Sequence, residues 1–154
     1  MVTGVRDTIE REVIFSQPIE RVWAAITEPD SMRHWFCSQG AEIDMRPGGA
    51  MLLKWNHGTS RAIVETVDPP RQFSFRWYPG SGEDPARPLE EQGPLTLVAF
   101  SLEPVAEGTR LRLVESGFAS LSEQRRATAF GENDEGWDEC LAELEALLRP
   151  QDDR

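Results

Sequence analysis

From Asp7 to Phe15 the segment DTIEREVIF alternates, placing Ile9, Arg11, Val13 and Phe15 on one side and mostly polar residues on the other. A period of two marks a half-buried strand. Pro18 suits the first turn of a helix, where its missing N–H costs nothing. Ile19, Val22, Trp23 and Ile26 then recur at helical spacing, so one stripe of PIERVWAAIT faces a core. Pro29 ends that helix, and a short turn, SMRHWF, returns Met32, Trp35 and Phe36 to the same core.

Beyond Gly40 the period changes. GAEIDMRPGGAMLLKW, RAIVETVDPP and RQFSFRW are short alternating segments separated by Pro and Gly pairs, which punctuate a meander. Met51, Leu53 and Trp55 share a face, as do Phe73, Phe75 and Trp77, while Lys54, Ser74 and Arg76 take the other side. LTLVAFSLEP and TRLRLVES supply the last two strands, joined by a tight turn at 107–109, and bring the count to seven. Residues 78–94, YPGSGEDPARPLEEQGP, have no periodic apolar face, and 17 residues exceed what a hairpin needs. This stretch reads as a lid or as a disordered excursion.

The last helix is expected to begin near Asn133, a plausible cap, and to run through Leu148 with Trp137, Leu141, Leu144 and Leu148 on one stripe. Pro150 stops it, leaving 150–154 as a tail. Residues 117–132 then form a short helix or Ω-like loop across a cavity mouth, with Phe118, Leu121 and Phe130 as gates. The order is strand, two helices, six strands, long helix, read as one domain over 5–149. A sheet with one apolar face and one long amphipathic helix bury each other, so the class is α+β with a curved antiparallel sheet wrapped around the terminal helix.

Charge narrows the partners. Acidic residues outnumber basic ones 27 to 16, for a formal charge of −11, and the cations are scattered among carboxylates. Phosphate binding rests on clustered Lys and Arg, so nucleic acid is excluded, and an anionic membrane surface repels the chain. No segment approaches the roughly 18–20 apolar residues of a spanning helix, and the N-terminus has no leader pattern. The chain reads as soluble and cytoplasmic. Cys37 and Cys140 are far apart and lack zinc or redox spacing, which fits reduced structural thiols. His34 and His57 have no ligand partner at metal spacing, and GxxxxGK, GxGxxG and GxSxG are absent, so no metal, cofactor or serine nucleophile is assigned.

One carboxylate breaks the pattern. In LRLVESGF, residues 111–118, alternation puts Glu115 on the apolar face with Leu111 and Leu113. An ionised carboxylate buried alone costs several kcal/mol or more, so something must compensate it. Arg11, between Ile9 and Val13, is the matching oddity. Three readings stay open for Glu115: an acid at a strand end open to water with Arg11 reaching the edge, a polar anchor in a ligand cavity, or a catalytic acid or base. The inward aromatic positions are Trp35, Trp55, Phe75, Trp77, Phe100 and Trp137, with Leu141 beside them on the helix. Large rigid rings pack with gaps, so a partly unfilled pocket is expected among them.

These blocks in this order resemble the START-like superfamily with its helix-grip fold, and within it the family named for the activator of the ninety-kilodalton heat-shock chaperone ATPase. The resemblance rests on FSQPIERVWAAITEPDSMRHWF, RPGG at 46–49, VETVDPPRQFSFRW at 64–77, LEPVAEGTRLRLVESGF at 102–118 and GWDECLAEL at 136–144. It implies a seven-stranded sheet gripping the C-terminal helix around a cavity that in many relatives holds an apolar molecule. First and last strands would be neighbours, so Arg11 and Glu115 could meet across the ladder. It also implies that the chain corresponds to the activator's C-terminal domain, without its chaperone-binding domain.

The superfamily spans lipid carriers, hormone receptors, allergens, polyketide cyclases and co-chaperones, so the fold names no activity. The expected function is non-catalytic binding of a small hydrophobic or aromatic ligand by Trp35, Trp55, Phe75, Trp77, Phe100, Trp137 and Leu141, with Glu115 and Arg11 as polar anchors. The alternatives are a chaperone-associated interaction module and a cyclase-like enzyme using Glu115 or His57. A monomer or a homodimer fits either.

Overall fold

The computed structural model describes residues 7–150; the expected boundary at residue 5 and the tail beyond 150 lie outside them. The elements are β1 (Thr8–Phe15), α1 (Ile19–Thr27), α2 (Pro29–Met32), β2 (Gly40–Ile43), β3 (Ala50–Trp55), β4 (Gly58–Asp68), β5 (Gln72–Trp77), β6 (Thr96–Val105), β7 (Gly108–Ser116) and α3 (Glu123–Leu148). One antiparallel sheet of seven strands runs in the order β1-β7-β6-β5-β4-β3-β2. First and last strands are neighbours, as the resemblance implied.

The inner face follows the alternation. Ile9 and Phe15 are buried, as are Met51, Leu53, Phe73, Phe75, Phe100, Leu111 and Leu113, and α3 closes over them with Trp137, Leu141, Leu144 and Leu148. On the N-terminal side α1 contributes Ile19, Val22 and Ile26, and the turn after α2 contributes Trp35 and Phe36. Such a core is the main source of stability, each fully buried large apolar side chain gaining about 1.5–3 kcal/mol over its exposed state. In the RPGG turn, a Cβ on Gly49 would lie 1.9 Å from the Asp44 carbonyl oxygen, so the turn admits only glycine there.

Two elements differ from the reading of the sequence. The long helix starts ten residues before Asn133, at Glu123, with Ser122 as cap: its hydroxyl accepts the Arg125 N–H at 3.3 Å. Residues 117–132 are therefore a short 3-10 turn, Phe118–Ser120, followed by helix. Asn133 had the chemistry of a cap but stands inside the helix, and Gly131 and Gly136 lower helix propensity there by roughly 1 kcal/mol each. Packing outweighs them, since Ala129 is buried and Phe118 meets Phe130 edge-on at 5.1 Å. Arg11, the second difference, bears directly on the site.

Candidate functional site

Glu115 is fully buried near the end of β7. Across the β1–β7 ladder it faces Ile9, whereas Arg11 faces Leu113, so the two charges stand out of register. Arg11 and Glu115 therefore do not meet across the ladder, which corrects the pairing the resemblance allowed; Arg11 instead reaches the edge, whereas Glu115 stays buried. Arg11 turns to α3, where Nη2 donates to Asp134 at 2.6 Å and Nε donates to Asp138 at 2.8 Å. Two carboxylates one helical turn apart at the helix edge outcompete a buried one, because a guanidinium there keeps part of its hydration.

Neutral donors satisfy Glu115 instead. Oε2 accepts from the Trp77 indole N–H at 2.9 Å and the Thr96 hydroxyl at 2.6 Å; Oε1 accepts from the Trp137 indole N–H at 2.8 Å; the Asn133 amide bridges both oxygens at 3.1 and 3.0 Å. Desolvation raises the carboxyl above its ordinary value, and the bonds from Thr96, Trp77, Trp137 and Asn133 oppose that rise. Of these partners the indoles can only donate, whereas the Thr96 hydroxyl, or the Asn133 amide turned over, can also accept from a protonated Glu115. This arrangement ties β5, β6 and β7 to α3 through one carboxyl group.

In front of these residues lies a cavity of about 710 Å³. Its walls are Phe36, Trp55, the hairpin tip from His57 to Ser60, Trp77 and Tyr78, residues 80–83 and Pro85, and from α3 Glu132, Asn133, Gly136, Trp137 and Cys140. The hollow therefore opens toward the β3–β4 hairpin, at one end of the helix–sheet contact. Phe36 stacks on Trp137 at 5.4 Å and stands 5.8 Å from Trp77, while Trp77 lies 6.0 Å from Trp137 and 6.4 Å from Trp55. These rings form a continuous aromatic wall. His57 stacks on Trp55 at 5.9 Å.

Of the expected site residues, Trp55, Trp77 and Trp137 line the cavity. Trp35, Phe75, Phe100 and Leu141 are buried in the core beside it, where Trp35 donates its indole N–H to the Ala25 carbonyl at 2.8 Å. Glu115 sits one layer behind the wall, and Arg11 is at the edge of α3, outside the lining. Sequence reasoning did not assign Tyr78, Ser81, Glu83, Glu132, Asn133 or Cys140 to the site. Of the three on α3, Glu132 fell before the expected start and Asn133 was read as a cap, whereas Cys140, three residues after Trp137 within the expected helix, could have been found from that spacing. Burial pushes the Cys140 thiol up to about 12 and the Cys37 thiol to about 11, so both are poor nucleophiles.

The remaining wall comes from residues 78–85, held by long-range contacts. Ser81 donates from its backbone N–H and hydroxyl to Glu132 at 3.0 and 3.1 Å. Arg61 donates to Glu83 at 2.6 Å, and Arg125 stacks over the Tyr78 ring at 4.0 Å while donating to the Pro79 carbonyl at 2.6 Å. Gly80 adopts φ +72°, and a Cβ there would lie 3.1 Å from the Ala129 Cα and 2.6 Å from Glu132 Oε1. Glycine lets the loop touch the helix. Among the described residues no cluster of His, Cys, Asp and Glu suits a metal ion, and no helix is long and apolar enough to cross a membrane.

Known structures share this architecture. A protein from Mesorhizobium loti is 30% identical, with TM-score 0.75 over 94% of this chain and 98% of its own. CalU16 from Micromonospora echinospora is 25% identical, with TM-score 0.65 over 93% of this chain and 75% of its own. The Aha1 dimer from Colwellia psychrerythraea, 18% identical, superposes with TM-score 0.68 over 93% of this chain and 96% of that one, a likeness of fold. No curated protein matches the chain. Residues 16–149 match the family described as Activator of Hsp90 ATPase homolog 1-like protein, nearly the whole described chain, and with the helix-grip sheet and its terminal helix this places the protein in that family.

Proposed function

We propose that the protein binds a small, flat, largely apolar molecule in the cavity between the β3–β4 hairpin, residues 78–85 and α3, without covalent chemistry. The wall of Phe36, Trp55, Trp77, Tyr78 and Trp137 around about 710 Å³ carries this reading. Small-molecule sites commonly enclose roughly 300–1,000 Å³ behind mostly apolar side chains. Affinity would come from covered ring area at roughly 25 cal/mol per Å², less the cost of immobilising the ligand. Glu115 serves this site indirectly. It fixes two indoles edge-inward, so their faces form the wall.

The acid–base reading is supported less well, because both Glu115 oxygens are engaged and the residue is outside the lining. The chaperone reading calls for an exposed apolar patch of several hundred Å²; among the described residues the exposed large hydrophobic is Ile14. The two free cysteines suit a reducing compartment such as the cytoplasm.

Titrating 2-naphthylmethanol while following tryptophan emission tests the proposal. Saturable quenching and a rise in Tm are expected, since a ligand that binds only the folded state stabilises it. Gly136→Leu should abolish both effects without unfolding the protein, because a Cβ at Gly136 meets nothing within 4 Å. An unsaturable signal from the wild-type protein, or an unchanged affinity in Gly136→Leu, would refute it.

A further inference from the structure

Resting on that binding site, we infer that its ligand is an aromatic amine or comparable flat organic cation, with its rings on the indole faces and its charge against Glu132. The hydrogen-bonding inventory of the cavity leads there. All three indole N–H groups of the wall are spent inside the protein: Trp77 and Trp137 donate to Glu115, and Trp55 donates to the Phe36 carbonyl at 3.0 Å. The Asn133 amide also donates to Glu115, and the Ser81 hydroxyl donates to Glu132. Besides the hydroxyls of Thr59, Ser60 and Tyr78 and the His57 ring, each able to accept as well as donate, the wall presents ring faces and carboxylate oxygens.

Its charge has one sign. Of the lining residues none is lysine or arginine, whereas Glu83 and Glu132 are both present. Arg61 pairs with Glu83 at 2.6 Å. Among the described residues Glu132 pairs with no arginine or lysine; its contacts are the Ser81 N–H and hydroxyl. A cation near this carboxylate would gain from attraction and from the negative faces of adjacent indoles, which bind cations within about 6 Å of the ring centroid. A carboxylate ligand would meet the reverse field, reinforced by the protein's formal charge of −11. Shape selects a flat ring, and charge selects its substituent.

A matched set of probes decides the matter: 2-naphthylmethylamine, 2-naphthylmethanol and 2-naphthoate, titrated into the full chain by calorimetry at constant ionic strength. The amine is expected to bind at least roughly tenfold tighter than the alcohol, and the carboxylate weaker than either. Glu132→Gln keeps an acceptor for Ser81, and should lower amine affinity roughly fivefold to tenfold while moving the alcohol less than about twofold. Glu145→Gln removes the same charge from an exposed position outside the lining, and should leave all three unchanged. Equal binding of alcohol and amine would overturn the cation assignment alone, as would an equal loss in Glu132→Gln and Glu145→Gln. Failure of all three probes to bind would overturn the ligand-binding function with it.

Discussion

The two ends of the helix–sheet contact use the same residue types to opposite effect. At the closed end Trp35, Phe73, Phe75 and Phe100 are almost wholly buried, with Phe73 stacked on Phe100 at 6.3 Å and Trp35 edge-on to Phe100 at 6.1 Å. At the open end Trp55, Trp77 and Trp137 surround a hollow. The difference lies in what faces the rings. Over the closed end α3 lays down Leu141, Leu144 and Leu148, and α1 adds Val22 and Ile26. Over the open end α3 offers Gly136 and Cys140, and the chain from 78 to 85 arches across instead of packing down. Aromatic content alone makes neither a core nor a pocket; the size of the opposing side chains decides.

Substitutions that act on one end and spare the other test this division. The largest effect should come from Phe73→Ala, which removes a fully buried ring from the solid end and should cost about 3–5 kcal/mol in urea unfolding. At low temperature its folded fraction should still bind the naphthyl probe. Comparable loss of binding and stability would show that the ends are not separable.

Glu115 stands behind the wall of the open end, and its effect depends on pH. Because its carboxyl is raised in the folded state, the folded protein holds this proton to higher pH than the unfolded chain does. The resulting stability is fully present below the unfolded value, about 4.3, and is lost as pH climbs through the raised folded value. Glu115→Gln cannot titrate and should remove that decline. The urea midpoint of wild type minus variant, followed upward from pH 4, should fall; a flat difference would mean that donor bonds fully offset burial. The same substitution turns an amide toward indole donors, so a pH-independent loss of about 1–3 kcal/mol should lie beneath the trend.

Trp55→Ala should sharpen the contrast from the other side. Trp55 is only partly buried, so its loss should cost less stability than Phe73→Ala, about 1–2 kcal/mol, while probe affinity falls at least roughly tenfold. Smallest of all should be Gly80→Ala. Its positive φ and the 3.1 Å approach to Ala129 should lift residues 78–85 from α3, costing about 1 kcal/mol and speeding probe release in stopped flow.

Much of this organisation could be read from residue order. Alternation placed Glu115 on the inner face, the helical stripe selected Leu141, Leu144 and Leu148, and Pro and Gly pairs marked the turns of the meander. The partner of Glu115 was less accessible. A buried acid suggested a cation, and Arg11 was the cation on a neighbouring strand, but indole, hydroxyl and amide donors from three separate elements, β5, β6 and α3, do the same work. No local pattern marks a tryptophan N–H as one half of a carboxylate site. Residues 78–94 show the same gap. They lack periodicity because their order comes from single contacts with distant elements, such as Glu83 with Arg61 and the burial of Leu89.

The sequence by itself determined which faces are apolar, how many strands form, and that a carboxylate enters the interior, since each follows from periodicity and from the cost of burying polar groups. Only the tertiary structure decided who satisfies that carboxylate, where α3 begins, and at which end a cavity remains. Those outcomes depend on groups far apart in the chain meeting at hydrogen-bond or van der Waals distance, and local spacing carries no record of such meetings.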